Sequence, residues 1–598
     1  MLPDYAEFEQ AIGLDWYEMD PNLRLLLDRL LPNRDDRAFA EEIVARYGDL
    51  VGRTVAARAE VTDKHGPRLD RYNRWGEDVG VVTHHPSWLE NKADLVRAGF
   101  AGGLQAHSGR SVPAVVTAAT SYLVSQAETA VYCALGMTGG AADIVERYGP
   151  AEIRSEFLRR LVSLDPDQSW EGGMFLTERQ GGSDVGANTT RAVQDGAEWR
   201  LFGDKHFCSN VDADVFIVLA RPEGAPSGSR GLATFIVPRH LPDGRANGFN
   251  VKRLKPKLGT VGVPTGEVTL DGAQAWLAGP QPRTGDDPAP AAADAARDGK
   301  GINRMMEMVN GSRFGVALMG LGIHRRSFLE AAIYAGRREQ FGKRIDAYPL
   351  VRETLVDLLV DLETGLALTF ECAAAARSAD SPEEGARLRR IAIPLAKLRC
   401  CRVALESAST ALEVFGGNGY MEDWPMARQL RDAQCHTIWE GTENICAIDV
   451  RRAMKADAAH EAVLDRIDRA VKIAEEGATG EVLAPAVQAV RAAREDVAEA
   501  CRHVLGAPED LALLQLRRLA YLMADTLEGA LACEEAAWSL ASNGDARKAA
   551  VARRFVTRRL VTEPLRGITS GDRTVIDLFE PIVRYGEIEP AEVLAAAG

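Results

Sequence analysis

Two hydrophobic periods alternate along this chain. In EEIVARYGDLVGRTVAARAEV and AVVTAATSYLVSQAETAVYCALGMT the apolar residues recur at the spacing of one helical face. The segment between them, DKHGPRLDRYNRWGEDVGVVTHHPSWLE, is rich in Gly, Pro, Asp and His and reads as a loop or small hairpin. From residue 171 the period shortens to two. EWRLFGDKHFCSN alternates as a half-buried strand does, and ADVFIVLARP and LATFIVPRH are short β-branched runs bounded by Pro and Gly. TGEVTLDGAQAWLAG closes this compact β domain, and the Pro-, Ala- and Asp-rich residues 280–299 read as a mobile loop or linker.

After Lys300 the helical period returns. NRMMEMVNGSRFGVALMGLGIHRRSFLEAAIYAGRREQFG is one long apolar-periodic segment. Its glycines at 311, 315, 320 and 322 weaken an isolated helix, which predicts close packing against another backbone. VRETLVDLLVDLETGLALTFECAAAARS and LRRIAIPLAKLRCCRVALESASTALEVFGG predict two more helices, the last stopped by Gly416-Gly417. Residues 456–598 continue as Ala/Arg/Glu-rich helices. The expected class is α+β multidomain: a helical domain over 1–170, a β domain over 171–280, a helical bundle over 299–455 and an additional helical domain over 456–598. That order excludes a doubly wound α/β fold.

Composition narrows the function classes. A chain of 598 residues is too long for one hydrophobic core, and 46% hydrophobic with 26% charged residues is globular rather than disordered. A net charge of -15 argues against coating nucleic acid by bulk electrostatics. The nine cysteines show no metal-ligand spacing and read as reduced core residues of a cytoplasmic protein. The N-terminal residues lack a signal-peptide apolar region, and no apolar run reaches the length of a membrane span. The glycosylation sequons at Asn188 and Asn310 are therefore coincidental.

No P-loop, HExxH, GxSxG or dinucleotide fingerprint is present. Two other stretches carry candidate chemistry. In MFLTERQGGSDVGANTT, residues 174–190, Thr177, Gly181, Gly182 and Ser183 allow backbone N–H groups close to a planar or anionic ligand. An ordinary polar loop leading into a hairpin fits these letters equally well. In IWEGTENI, residues 438–445, Glu440 follows an apolar pair whose burial would raise its pKa towards that of a general base. A surface glutamate near a helix start, capped by Thr442 or Asn444, is the plainer reading.

The blocks together carry a resemblance that none carries alone. LTERQGGSDV resembles the signature of acyl-CoA dehydrogenases, and helices–β–helices is that family's order. DKHFCSN resembles the strand that lies at the family's flavin, and RREQFGKRI the segment that reaches the cofactor of a neighbouring subunit. EVFGGNGYMEDWPMARQLRDAQCHTIWEGTENI resembles the closing block almost throughout. The loop PRLDRYNRWGEDVGVVTHHPSW, the phrase GGSDVGANTTRA, the segment RLKPKLGTVGVPTGEV and the helical extension after 455 resemble the AidB-type, adaptive-response branch.

This resemblance implies a middle β-barrel or sandwich, a C-terminal four-helix bundle, FAD as cofactor and a homotetramer. It implies Glu440 as the base that removes the α-proton of an acyl-CoA, with β-hydride transfer to flavin N5 giving a trans-2-enoyl-CoA. A second lineage carries its base at the position of Ser312, where serine cannot serve. Leu176, Thr177 and Ser183 would lie along the flavin, Phe207 against its ring, and Ser209 would donate to it. Arg338, Gln340 and Phe341 would contact the FAD of another subunit, with Gly416 and Gly417 beside its phosphates and Thr442 and Asn444 completing the cofactor site. Ser183, Asn310, Arg313 and Gly441 would border the substrate. An electron-transfer flavoprotein or other acceptor would take the electrons.

Three positions depart from the family pattern: Glu413 and Pro349 stand where glutamine is common, and Asn310 where aspartate is. An alternative from a different class is a flavoprotein with mainly a DNA-binding or DNA-protective role. Residues 451–598 carry 20 Lys/Arg against 24 Asp/Glu, so that reading rests on the run RKAAVARRFVTRRLVTEPLR, whose arginines at 554, 558 and 559 suit a solvated or inter-subunit face. Oxygen-using flavin chemistry on the same fold is a third reading.

Overall fold

The computed structural model describes residues 10–196, 198–241, 243–279, 298–476 and 480–597, so the linker expected over 280–299 lies almost wholly outside the described residues. The chain divides into two compact units, residues 55–112 with 128–315, and residues 1–54, 113–127 and 316–598.

The first unit is built on a barrel. A hairpin of β1 (Arg68–Tyr72) and β2 (Asp78–Thr83) occupies the stretch expected to be loop or hairpin. The larger sheet contains β3 (Gly172–Phe175), β4 (Arg191–Asp195), β5 (Glu198–Ser209), β6 (Val215–Pro222), β7 (Ala233–Pro238), β8 (Phe249–Leu254) and β9 (Thr265–Leu277). The path β6-β4-β5-β9-β7 closes because β7 pairs back onto β6, with β3 added to β6 and β8 to β9. Three of these strands, β3, β4 and β8, were not legible as strands in the sequence.

Alternation along β6 explains its unbroken apolar run. Phe216, Val218 and Ala220 fill the barrel with Phe175, Trp199, Phe235 and Phe249. Val215, Ile217 and Leu219 face the other way, into a cluster with Met137, Ile144 and Phe157 of the helices Thr129–Tyr148 and Ala151–Leu161 and with Met305, Met308 and Val309. A strand buried on both faces needs no polar side. The helix expected over AVVTAATSYLVSQAETAVYCALGMT is in fact two, Ala114–Ala127 and Thr129–Tyr148. The break falls at Glu128, whose extended backbone (φ -157°) ends the ladder and whose buried carboxylate accepts from Asn91 Nδ2 at 3.0 Å.

The second unit is helical. Its long elements are the later part of Gly301–Arg337, then Pro349–Ser378, Pro382–Val414, Pro425–His436 and Glu443–Asp457, followed by Ala459–Glu476, Gly480–Gly506, Glu509–Asn543 and Arg547–Leu560. Ser381 starts Pro382–Val414 by accepting from Glu384 N–H at 3.1 Å. Pro349, one of the departures, is the first residue of its helix, where a missing N–H costs nothing.

Of the four glycines expected to pack closely against another backbone, Gly320 and Gly322 do, and Gly315 packs against a side chain. A Cβ on Gly315 would meet the Tyr132 hydroxyl at 2.7 Å, on Gly320 the Cys400 carbonyl at 3.3 Å, and on Gly322 the Ser125 Cβ at 2.5 Å. Gly311 corrects the expectation: among the described residues, no atom beyond its own stretch of helix lies within 4 Å of its Cβ position.

The cationic run over residues 547–566 is also corrected. Its arginines at 554, 558 and 559 do not form a solvated face: they pair with acids of the same chain. Arg554 bonds to Asp357 and Glu353, Arg558 to Asp357 and Asp361, and Arg559 to Asp361, all acids of the helix Pro349–Ser378. Arg547 and Lys548 are buried on Glu363 of the same helix. The nine cysteines are free thiols and seven of them are buried. Among the described residues no helix is long and apolar enough to cross a membrane.

Candidate active site

In the barrel unit a single buried carboxylate organises the signature loop. Glu178, 3% exposed, follows Thr177 directly. It accepts from Lys205 Nζ at 2.9 Å, from Thr190 Oγ1 and N–H at 2.6 and 3.1 Å, and from Thr189 Oγ1 and N–H at 2.8 and 2.7 Å. Burial alone would raise its pKa, but Lys205 and the threonine donors outweigh this and hold it down to about 2. Lys205 also donates to the Leu176 carbonyl at 3.2 Å, and His206 N–H to the Thr177 carbonyl at 3.0 Å.

This ties the loop to the last residues of β5. Leu176 and Thr177 are thereby set beside the end of the strand that carries Phe207 and Ser209, while Ser183 is exposed further along the loop. Phe207 and Ser209 flank the buried Cys208 at the end of the strand, where its pairing with β9 is irregular between Lys205 and Cys208. Phe207 is 58% exposed. Ser209 Oγ lies 3.1 Å from Thr265 Oγ1, which accepts from Lys257 Nζ at 3.3 Å. Either hydroxyl can donate in the Ser209–Thr265 pair, so the Ser209 proton can serve Thr265 or an outside acceptor.

Asn310 and Arg313 lie on Gly301–Arg337 just beyond Met308 and Val309, and Leu176 packs on the same apolar cluster as those two residues. Arg313 is buried, and Asn310 Oδ1 is a buried acceptor without a hydrogen-bond partner. An unfilled acceptor next to the open position of Gly311 is where a donor from a bound molecule fits.

In the helical unit the Glu440 turn joins Pro425–His436 to Glu443–Asp457. Glu440 is half-buried and adopts φ +57°, a left-handed conformation that an L-residue keeps only when its surroundings hold it. Ile438 is exposed, so the apolar pair ahead of Glu440 does not enclose it as the sequence suggested. The restraint comes from below. Lys397, 1% exposed within Pro382–Val414, donates Nζ to the Gly441 carbonyl and to the Thr437 carbonyl at 3.4 Å. Thr442 occupies the cap position of the next helix without a side-chain cap bond, and Asn444 is exposed.

The remaining predicted residues form a second locus in this unit. Arg338 follows the end of Gly301–Arg337, and Gln340 and Phe341 lie in the small hairpin of β10 (Glu339–Gln340) and β11 (Lys343–Arg344). Phe341 is 96% exposed. Gly416 and Gly417 end Pro382–Val414, Gly416 at φ +60° as a helix-stop glycine. Among the described residues beyond its chain neighbours, no atom lies within 4 Å of the Cβ position of Gly417. Tyr334 joins the two pieces: it stacks on Phe415 at 4.2 Å and its hydroxyl accepts from Asn418 Nδ2 at 3.2 Å. Among the described residues the Arg338 guanidinium makes no ion pair, and Glu413 is exposed. Lys397 and Val414 are 17 residues apart on one helix, so the Glu440 turn and the glycine turn are separated by roughly 25 Å at ~1.5 Å per residue. The chain does not bring those two loci together.

Comparison with known proteins now decides the family. "Acyl-CoA dehydrogenase, middle domain" matches residues 173–273 and "Acyl-CoA dehydrogenase, C-terminal domain" matches 299–455. "Adaptive response protein AidB N-terminal domain" matches 8–168, and "Acyl-CoA dehydrogenase 11 C-terminal domain-like" matches 459–576. Acyl-CoA dehydrogenase family member 11 of Caenorhabditis elegans is 34% identical over 73% of this chain and 70% of its own length.

The chain belongs to the acyl-CoA dehydrogenase family.

Within that family the AidB-type branch is supported by a second relative, putative acyl-CoA dehydrogenase AidB of Escherichia coli. It is 32% identical over 71% of this chain and 76% of its own. The crystal structure of C. elegans ACDH-11 in complex with C11-CoA superposes with a TM-score of 0.83 at 29% identity, covering 94% of this chain and 95% of that one. An acyl-CoA dehydrogenase from Bacillus anthracis, complexed with FAD, shares the fold at 18% identity and a TM-score of 0.70. Members of the acyl-CoA dehydrogenase family are FAD-dependent oxidoreductases acting on CH–CH groups. The residues here fit that group: an exposed aromatic ring and a hydroxyl near the end of one strand, and an open glycine turn and a half-buried arginine in the second locus.

Sequence reading had not found Lys397, Glu178 or Lys205 as parts of the site. For Lys397 the signal was present, a lone ammonium inside the apolar run IAIPLAKLRCC.

Proposed function

We propose that this chain is an FAD-dependent acyl-CoA dehydrogenase in which Glu440 removes the α-proton of an acyl-CoA thioester. The observation that carries the reading is the Glu440 turn, a carboxylate held at positive φ by a buried lysine. A thioester α-proton is a poor acid, so its removal needs a base fixed in aim and donors on the thioester oxygen as charge develops there. The Glu440 backbone N–H would be one such donor, with Gly441 beside the thioester. Ser183, Asn310 and Arg313 would hold the CoA side.

FAD, when bound, supplies acceptance of the β-hydride, leaving a trans-2-enoyl-CoA. Leu176, Thr177, Ser183 and Phe207 would lie along its ring, Ser209 would donate to it, and Thr442 and Asn444 would complete its site. Arg338, Gln340, Phe341, Gly416 and Gly417 would serve the cofactor of a neighbouring subunit in a homotetramer. The ~25 Å between the Glu440 and glycine turns of one chain supports this division, as does the exposure of Phe341. The C11-CoA bound by the C. elegans relative supports an acyl thioester as substrate, with an electron-transfer flavoprotein or similar acceptor downstream. The DNA-binding alternative loses its main support, because the cations of residues 547–559 are engaged by acids of the same chain.

The test is an anaerobic titration of the purified flavoprotein with straight and branched acyl-CoAs. Bleaching of the flavin band by one class supports the reading and names the substrate; no bleaching by any thioester, with flavin present, contradicts it.

A further inference from the structure

The segment RLKPKLGTVGVPTGEV, which carries the Lys257 and Thr265 that reach Ser209, also sets a cation on Phe207. Lys255 follows β8, and its backbone N–H donates to the Thr265 carbonyl at 2.8 Å. Its ammonium donates to Glu267 Oε1 at 2.6 Å, sits 3.3 Å from His206 Nε2, and lies 4.5 Å from the centroid of the Phe207 ring. An ammonium can only donate, so His206 Nε2 accepts and the imidazole carries its proton on Nδ1. Burial and the neighbouring Lys255 both lower the His206 pKa, which keeps that ring neutral. Glu267 is shared with Arg253, whose Nε and Nη2 reach it at 3.0 and 2.7 Å. One carboxylate thus faces two cations, and the cluster around the exposed Phe207 ring is net positive.

We propose that Lys255, acting through Phe207, raises the reduction potential of the flavin bound against that ring. The proposal rests on the reading that Phe207 lines the isoalloxazine. Hydride transfer delivers two electrons and one proton, so the ring system gains one negative charge. A cation fixed over an adjoining aromatic face stabilises that charge more than the neutral oxidised ring. Lys255 is a positioning residue, and a purely structural role for it would alter folding without altering the potential.

The experiment measures the midpoint potential of holoenzyme against a reference dye for wild type, Lys255→Met and Lys255→Arg, with flavin content and Tm beside it. Lys255→Met is expected to shift the reduction equilibrium towards the oxidised form by at least about tenfold, about 30 mV more negative for a two-electron couple. Lys255→Arg should stay within about threefold of wild type, because it keeps the charge. An unshifted Lys255→Met with flavin bound overturns the proposal, and so does an equal shift in both variants. Should Lys255→Met fail to hold flavin, Glu267→Gln decides: freeing the ammonium from its counter-charge must shift the potential the opposite way, and no shift overturns the proposal. A wild-type chain that binds no flavin overturns both this inference and the function on which it rests.

Discussion

Lys397 and Gly441 are joined through a buried ammonium: Nζ donates to the Gly441 carbonyl and to that of Thr437, clamping the turn that presents Glu440 on both sides. Lys397→Met keeps the stem and removes the donor, leaving two carbonyls without their partner. The expected cost is about 1–3 kcal/mol of stability, seen as a lower Tm. Misplacing the base is expected to lower kcat by roughly 10²-fold with flavin retained. Full activity in Lys397→Met would show that the clamp does not aim Glu440.

The Glu178–Lys205 pair is expected to act on stability. Removing one member leaves a buried charge, so Glu178→Leu or Lys205→Met should each lose about 3–5 kcal/mol. The pH dependence follows from the depressed carboxyl. Its pKa is about 2 against an ordinary 4.5, so its contribution is complete above pH 4.5 and disappears as pH falls towards 2. Tm measured across this interval should fall in wild type and be flatter in Glu178→Gln.

His436 is expected to be an acid liability. It is fully buried, neither ring nitrogen has a hydrogen-bond partner among the described residues, and burial together with Lys397 pushes its pKa to about 3. The unfolded chain binds this proton from pH 6.5 downwards, whereas the folded chain resists it until about pH 3. Stability is therefore lost as pH falls through that window. His436→Leu should soften the loss and leave Tm at neutral pH unchanged or higher, since it removes unpaired polar atoms. A sharply lower Tm at pH 8 would contradict this.

The helix Arg547–Leu560 should respond to mutation as a docked element. Arg554→Ala with Arg558→Ala leaves Asp357 and Asp361 short of partners and is expected to lower Tm. DNA retention on a salt gradient should not change, because these side chains face the helix Pro349–Ser378. A loss of DNA binding without a change in Tm would restore the nucleic-acid reading.

Much of this architecture was legible because the periods of the chain report its faces. β5 alternates over its first half, the long helices repeat at helical spacing, and Gly416 stops its helix. β3, β4 and β8 were missed because each is short and takes its stability from pairing partners distant in sequence. Residues 114–138 read as one helix because apolar spacing is blind to Glu128, whose extended backbone breaks it and whose buried carboxylate accepts from Asn91, distant in sequence. The charge run at 547–566 looked like a surface since its counter-charges, Asp357, Asp361 and Glu363, lie nearly two hundred residues earlier. The Glu440 block was recognisable by its letters, but the left-handed turn and the lysine beneath it are tertiary facts.

The central claim is that Glu440 starts the reaction. The measurement that tests it most directly is single-turnover flavin reduction by the best acyl-CoA, in wild type and in Glu440→Gln, each with full flavin content. Loss of the base should slow reduction by roughly 10²–10⁴-fold while thioester binding persists. Equal rates in the two proteins would mean that another group takes the α-proton.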